Sequence, residues 1–210
     1  MNATGANAFN LWSPSDALFY RDDSYIGKKS PNGAPVYWSR ANGWAFGAMA
    51  RVLEALPASR TSDRAEYASI MVAMARKLKA LQGPDGCWRS SLEDPQATPT
   101  IETSGTSLFI FGLAWGVNNN VLDRGEYAAV AAEGWTCLTR PSPAGAVTEE
   151  GRLGWCQPGG ASPANNFNST TTSDFCVGTF LLAGSEMAKL GGGEDRRGGN
   201  NGGARASKRL

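Results

Sequence analysis

The sequence predicts an all-α fold of stacked helical hairpins, and three observations support this. Five segments place apolar residues at the three- and four-residue spacing of amphipathic helices. Three of these segments place a small residue near the start of an apolar helix (Asn42-Gly43, Ser104-Gly105 and Val177-Gly178), and these positions lie roughly 60–70 residues apart. Turn-rich stretches separate the helices. Paired helices with this period form an open solenoid or a closed α/α toroid, although a plain helical bundle has the same periodicity.

The predicted helices have recognisable starts and stops. Threonine or serine opens several of them, and clusters of proline, glycine or asparagine end them. We expect helices over residues 44–56, 61–81, 103–117, 124–138 and 173–190. Residues 1–43 are rich in turns, with Leu18-Phe19-Tyr20 and Pro35-Val36-Tyr37-Trp38 as brief strands or extended loop. Residues 191–210 form a Gly/Arg-rich tail that we expect to be disordered.

The composition excludes several classes of protein. A net charge of +1 does not provide the basic face that bulk nucleic-acid binding needs, and no apolar run approaches the length of a membrane span. The sequence has no histidine, which excludes Ser-His-Asp triads, Cys-His dyads and His-based metal sites. Any chemistry must therefore use carboxylates, Tyr, Lys, Arg or Cys. We expect no metal and no cofactor.

The cysteines and the first residues bear on the cellular compartment. The four cysteines are widely spaced without a C-x-x-C pair: Cys87, Cys137, Cys156 and Cys176. We expect reduced, buried thiols, with the disulfides of a secreted protein as the alternative. The sequence opens with neither a basic patch nor an apolar stretch, so no signal peptide is visible and the cytoplasm is favoured.

Tryptophan and arginine supply the first candidate site. Several of the seven tryptophans sit beside glycine in polar turns, where an indole can stack on a pyranose ring, although a buried structural role is the alternative. Within residues 38–44 (Trp-Ser-Arg-Ala-Asn-Gly-Trp), Arg40 lies between Trp38 and Trp44. Its guanidinium can bind a carboxylate bidentately while the rings hold a sugar. A helix beginning after Gly43 would add backbone N–H groups that face an anion.

Carboxylates supply two weaker signals. The run Tyr20-Arg21-Asp22-Asp23 places a cation and two carboxylates on a turn, where they can act as acid and base on a glycosidic bond or form a solvated turn. Glu102 is most simply part of a helix start, with Thr103 or Ser104 as the capping residue.

Together these segments resemble the unsaturated glucuronyl and rhamnogalacturonyl hydrolases, glycoside hydrolase families 88 and 105. The resemblance runs in order over about residues 8–190, through these segments: Leu18-Phe19-Tyr20-Arg21-Asp22, residues 37–44, Gly86-Cys87-Trp88-Arg89, Glu102-Thr103-Ser104-Gly105-Thr106 and residues 178–186. It implies an (α/α)6 barrel. Residues 1–190 would then form a partial barrel of about five or six helices, followed by the tail.

The resemblance also implies a substrate and a chemistry. The substrate is an oligosaccharide with a terminal unsaturated uronic acid. In the family, an aspartate protonates the C4=C5 double bond and activates a water that adds at C5, and the resulting hemiketal collapses to release the remaining sugar. Trp38, Arg40 and Trp44 match the residues that hold this sugar, while Arg21 replaces a histidine of well-known members, which implies a change in specificity.

One departure from the family concerns catalysis. The family's acid/base aspartate lies in a Trp-x-Asp segment ahead of the Trp-x-Arg tract, and this sequence has no such segment. Its catalytic residue is therefore unknown, with Asp22 only a secondary candidate. We expect the C-terminal half of an enzyme that is inactive alone. The alternatives are a half-barrel that binds acidic sugars or pairs with another chain, and a different α/α-toroid enzyme such as an epimerase, which generally relies on histidine pairs.

Overall fold

The computed structural model describes residues 10–141, 144–160, 163 and 167–198, with side chains up to residue 192. A short antiparallel hairpin of β1 (Trp12–Ser13) and β2 (Leu18–Phe19) precedes a 3-10 turn over Asp23–Tyr25. Five α-helices follow in the described ranges: α1 Ser39–Ala55, α2 Thr61–Leu81, α3 Thr103–Asn118, α4 Arg124–Thr139 and α5 Asp174–Gly198. The predicted all-α partial barrel is confirmed.

The helices form two layers around α3. Every residue of α3 except the last is buried, because α1 and α5 flank it in an inner layer and α4 covers it from outside, next to α2. The inner helices run in the same direction. Gly105 meets Ser39 where α3 and α1 begin, and Phe175 at the start of α5 lies over Arg40. The loops that precede the inner helices therefore gather at one end of the molecule.

Two helix boundaries differ from the prediction. Helix α1 begins at Ser39 and not at Trp44, so Gly43 lies inside the helix. A Cβ at Gly43 would lie 2.9 Å from the Cβ of Leu108, so this glycine allows close helix packing and does not mark a helix start. Helix α5 continues beyond residue 190 to Gly198. The rest of the predicted tail, residues 199–210, lies outside the described residues.

One edge of the inner layer is open. On α5, Val177, Leu181 and Leu182 expose much of their apolar surface. An inner helix of a closed toroid is covered on both sides, so this face is the free edge of a partial barrel. No helix in the described part of the chain is both long and apolar enough to cross a membrane.

The expectation of reduced thiols is wrong. Cys87 pairs with Cys137, and Cys156 pairs with Cys176, with Cα–Cα distances of 5.7 and 6.1 Å. Each bridge joins a loop to a helix that comes later in the chain. Cysteine spacing alone cannot reveal such pairs, because folding brings them together. Disulfides are rare in the cytosol, so these bridges also count against the cytoplasmic expectation.

Substituting Gly105 tests the close approach of α1 and α3. A Cβ at this position would lie 2.8 Å from the backbone carbonyl carbon of Ser39, so we expect Gly105→Ala to lower the free energy of unfolding by about 2 kcal/mol. Gly178→Ala on α5 is the matched control. A Cβ there meets nothing within 4 Å, so this variant should keep or gain stability. Urea unfolding measures both, and equal stability of the two variants would contradict the packing.

Candidate functional site

Residues 154–158, here named the crossing segment, contact the N-terminal ends of all the inner helices. Thr103 of α3 donates its N–H and its hydroxyl to carbonyl oxygens of this segment, at 3.1 and 2.6 Å. Arg40 of α1 donates to two further carbonyl oxygens of the segment. Cys176 of α5 is joined to the segment by a disulfide. The segment therefore fixes the first turns of α1, α3 and α5 relative to one another.

Arg40 is the central cation of this end of the molecule. Its Nη1 donates to the carbonyl oxygen of Gln157 at 2.6 Å and its Nη2 to that of Pro158 at 3.2 Å. The guanidinium carbon lies 5.6 Å from the ring centroid of Phe175 and 6.0 Å from that of Trp38. Since a guanidinium has more N–H donors than these two bonds use, Arg40 can still bind a carboxylate.

The electrostatic environment of Arg40 combines burial with a nearby carboxylate. Burial lowers the pKa of the Arg40 guanidinium, and the negative charge of Glu102 opposes that shift. An arginine remains protonated in proteins even after such a shift. The result is a fixed positive charge that is only partly neutralised, which suits an anionic ligand.

Glu102 caps α3, where the sequence predicted Thr103 or Ser104 as the cap. Its Oε1 accepts from the N–H and hydroxyl of Ser104 at 3.0 and 2.6 Å, and its Oε2 accepts from the N–H of Gly105 at 2.7 Å. The side chain is fully buried. Both oxygens satisfy N–H groups that a helix start leaves unpaired, so Glu102 has a structural role.

Trp38 lies beneath two arginines. Only 3% of its surface is exposed, so its ring face is closed to a sugar in this structure. The guanidinium carbon of Arg21 lies 5.2 Å from its ring centroid, and Tyr25 packs edge-on against it at 5.9 Å. Its position therefore suits a support for Arg21 and Arg40, which are held by cation–π contact.

Trp44 has the opposite environment. It lies one turn after Arg40 on the same face of α1, and 48% of its surface is exposed. Phe175, and not Trp44, is the second aromatic ring close to the guanidinium. The exposed indole of Trp44 is open to stack on a sugar next to Arg40.

Asp22 does not have the environment of a general acid. Its Oδ1 accepts from the N–H and hydroxyl of Ser24, at 3.0 and 2.5 Å, and its Oδ2 forms an ion pair with Arg21 at 2.7 Å. The bonds from Ser24, followed by the charge of Arg21, lower the pKa of this carboxyl. A general acid needs a pKa near the working pH, so the structure argues against Asp22 in this role.

Asp16 lies in the turn of the hairpin, and its carboxylate also accepts hydrogen bonds. Its Oδ2 accepts from the hydroxyls of Tyr37 at 2.5 Å and Ser13 at 2.9 Å. The bond from Tyr37 is the main cause of its lowered pKa. Across the described ranges, no group of three or more His, Cys, Asp or Glu side chains is arranged to hold a metal ion.

Similarity to known proteins extends over nearly the whole chain. The family model described as Glycosyl Hydrolase Family 88 matches residues 5–191. The chain belongs to this family. A solved family 88 structure from Bacteroides vulgatus is 36% identical and superposes with a TM-score of 0.80, covering 87% of this chain and 52% of that one.

Two curated family relatives carry the name unsaturated 3S-rhamnoglycuronyl hydrolase. The protein from Alteromonas sp. (strain LOR) is 42% identical over 183 residues, which is 87% of this chain and 42% of the relative. The protein from Formosa agariphila is 38% identical over 186 residues, which is 86% of this chain and 48% of the relative. The chain thus spans less than half the length of either.

In this family 88 chain, the structure brings Arg21, Trp38 and Arg40 together and leaves Trp44 exposed one turn further along α1. The sequence did not predict the crossing segment or the position of Phe175. The only available signal was a tryptophan beside glycine, at Gly154-Trp155. Carbonyl oxygens bind Arg40 here, and because every residue has one, residue types could not identify these acceptors.

A substitution tests Glu102 as the cap that shapes the site. Glu102→Gln would place an amide N–H₂ against backbone N–H donors, so we expect a loss of about 2 kcal/mol in the free energy of unfolding. Asp123→Asn is the matched control, since Asp123 caps α4 through a single exposed bond and Asn caps equally well. Urea unfolding measures both losses. A Glu102→Gln variant as stable as the control would contradict a buried cap.

Proposed function

We propose that this chain binds the terminal unsaturated uronic acid of an oligosaccharide, with Arg40 contacting its carboxylate. The chain would form part of an α/α toroid that hydrolyses the substrate by hydration of the C4=C5 bond. Membership of family 88 and the names of the two relatives support this substrate class.

The geometry of Arg40 is the observation that carries the proposal. Two main-chain carbonyls orient its guanidinium, and its remaining N–H groups can pair with both oxygens of a carboxylate. The start of α1 also favours a bound anion next to Arg40. Its first turn receives no side-chain cap, unlike the starts of α3 and α4, which Glu102 and Asp123 cap. An uncapped helix N-terminus favours an anion beside Arg40.

Trp44 and Arg21 complete the proposed sugar site. The exposed indole of Trp44 is suited to stack on the apolar face of the uronyl ring. Arg21 lies close enough to Arg40 for its charge to lower the pKa of Arg40, so it is a second cation near the proposed carboxylate. Its ion pair with Asp22 leaves its other N–H groups for hydroxyl groups of the substrate.

Hydration requires a proton at C4 and a water oxygen at C5, so an acid/base group must lie beside the double bond. The carboxyls of Asp16, Asp22 and Glu102 all accept at least two hydrogen bonds in this structure, and Asp23 is exposed to solvent in the 3-10 turn. We therefore propose that the acid/base group comes from a part of the toroid beyond these helices. Arg40 would hold the carboxylate on C5 so that the double bond faces that group.

Removing the Arg40 guanidinium tests the proposed binding. We expect Arg40→Ala to weaken binding of an unsaturated glucuronyl disaccharide by about 10- to 100-fold, since a bidentate charge-assisted pair is lost. Arg40→Lys should also weaken it, because an ammonium retains the charge but not the paired donors. Isothermal titration calorimetry measures the affinities. The absorbance of the unsaturated uronyl group should stay constant with the chain alone.

Arg51→Ala is the matched control, because Arg51 lies on the same helix, is exposed and pairs only with Glu54 among the described residues. Its affinity should equal that of the unchanged protein. Equal affinity of the Arg40 and Arg51 variants would overturn the role of Arg40. Decay of the absorbance with the chain alone would show that it contains its own acid/base group.

A further inference from the structure

The two disulfides occupy different positions relative to the site. The Cys156–Cys176 bridge connects the crossing segment to the first turn of α5. The Cys87–Cys137 bridge connects the loop after α2 to the last turn of α4, in the outer layer. Both close loops in the chain, with sequence separations of 20 and 50 residues.

The contacts of Arg40 cluster around the first of these bridges. The carbonyl acceptors belong to Gln157 and Pro158, the two residues that follow Cys156. The ring of Phe175, which lies over the guanidinium, belongs to the residue that precedes Cys176. A movement of either half of the bridge therefore displaces a contact of Arg40.

The backbone of the crossing segment needs an anchor. Trp155 adopts a left-handed conformation with φ of 55°, which is unfavourable for a bulky residue and persists only where the surroundings hold it. Main-chain bonds join Trp155 to Asn168 at 3.0 Å and Cys156 to Thr171 at 2.9 Å. These bonds connect the segment to the later part of the same loop, whereas the disulfide connects it covalently to α5.

We propose that the Cys156–Cys176 disulfide is a positioning element of the carboxylate-binding site, which holds the Arg40 guanidinium in place between the crossing segment and α5. The Cys87–Cys137 disulfide stabilises the wall of the barrel and does not orient Arg40. The expected effect of the Cys156–Cys176 disulfide on binding rests on the proposed function. Its expected effect on the rigidity of the Arg40 side chain does not.

Two double variants test the proposal on the full chain. In Cys156→Ser/Cys176→Ser, we expect an unsaturated glucuronyl disaccharide to bind about tenfold more weakly, because an unpositioned guanidinium must be ordered on binding. In Cys87→Ser/Cys137→Ser, we expect unchanged affinity. The control variant should nevertheless lose more thermal stability, since removal of the bridge with the longer loop frees more chain in the unfolded state.

A second readout needs no ligand. The heteronuclear {1H}–15N Overhauser effect of Arg40 Nε–H reports whether this side chain is rigid, and loss of the signal in Arg40→Lys assigns it. We expect a rigid Arg40 in the unchanged chain and in Cys87→Ser/Cys137→Ser. In Cys156→Ser/Cys176→Ser, the value should fall to that of the exposed Arg51.

The outcomes separate the two hypotheses. If the unchanged chain does not bind the disaccharide, the proposed function fails, and the Overhauser effect still decides whether the disulfide positions Arg40. A rigid Arg40 in the Cys156/Cys176 variant would overturn the positioning role. The positioning role would also be overturned if the loss of affinity scaled with the loss of melting temperature in the same way in both double variants. A bridge that only stabilises the fold would give this result.

Discussion

The crossing segment at residues 154–158 is the contact on which the arrangement of this site depends. Parallel inner helices bring their N-terminal N–H groups and positive dipole ends to one end of the molecule, and these must be held in a fixed arrangement. The segment does this with hydrogen bonds to α1 and α3 and a covalent bond to α5. Since Arg40 donates to the same backbone, the geometry of the barrel and that of the site are linked.

Burial of Arg40 is possible because its charge is compensated in part. Two carbonyl oxygens and the nearby carboxylate of Glu102 offset the desolvation of the guanidinium, and two aromatic rings lie close to it. The Glu102 carboxylate caps the start of α3, where both of its oxygens accept hydrogen bonds. Arg40 therefore keeps a positive charge that an incoming carboxylate can pair with.

Periodicity predicted the helices well. Helices α1, α2 and α4 each bury one apolar face, whereas α3 is buried on all sides. Periodicity failed at Gly43, which the sequence predicted to mark a helix start. Gly43 lies inside α1, where the lack of a side chain allows Leu108 to pack closely. Periodicity could not pair the cysteines, since their partners are set by the packing of loops on helices. The resemblance placed Arg40 and the tryptophans in one tract. Only the structure showed that Trp38 is buried, that Trp44 is exposed and that Phe175 lies over the guanidinium.

We propose that Arg40 binds a uronate carboxylate at the N-terminal ends of the inner helices. A crystal structure of the chain with an unsaturated glucuronyl disaccharide tests this most directly. We expect both carboxylate oxygens within about 3 Å of Arg40 nitrogen atoms, with the sugar ring against Trp44. A disaccharide bound with its carboxylate away from Arg40 would contradict it.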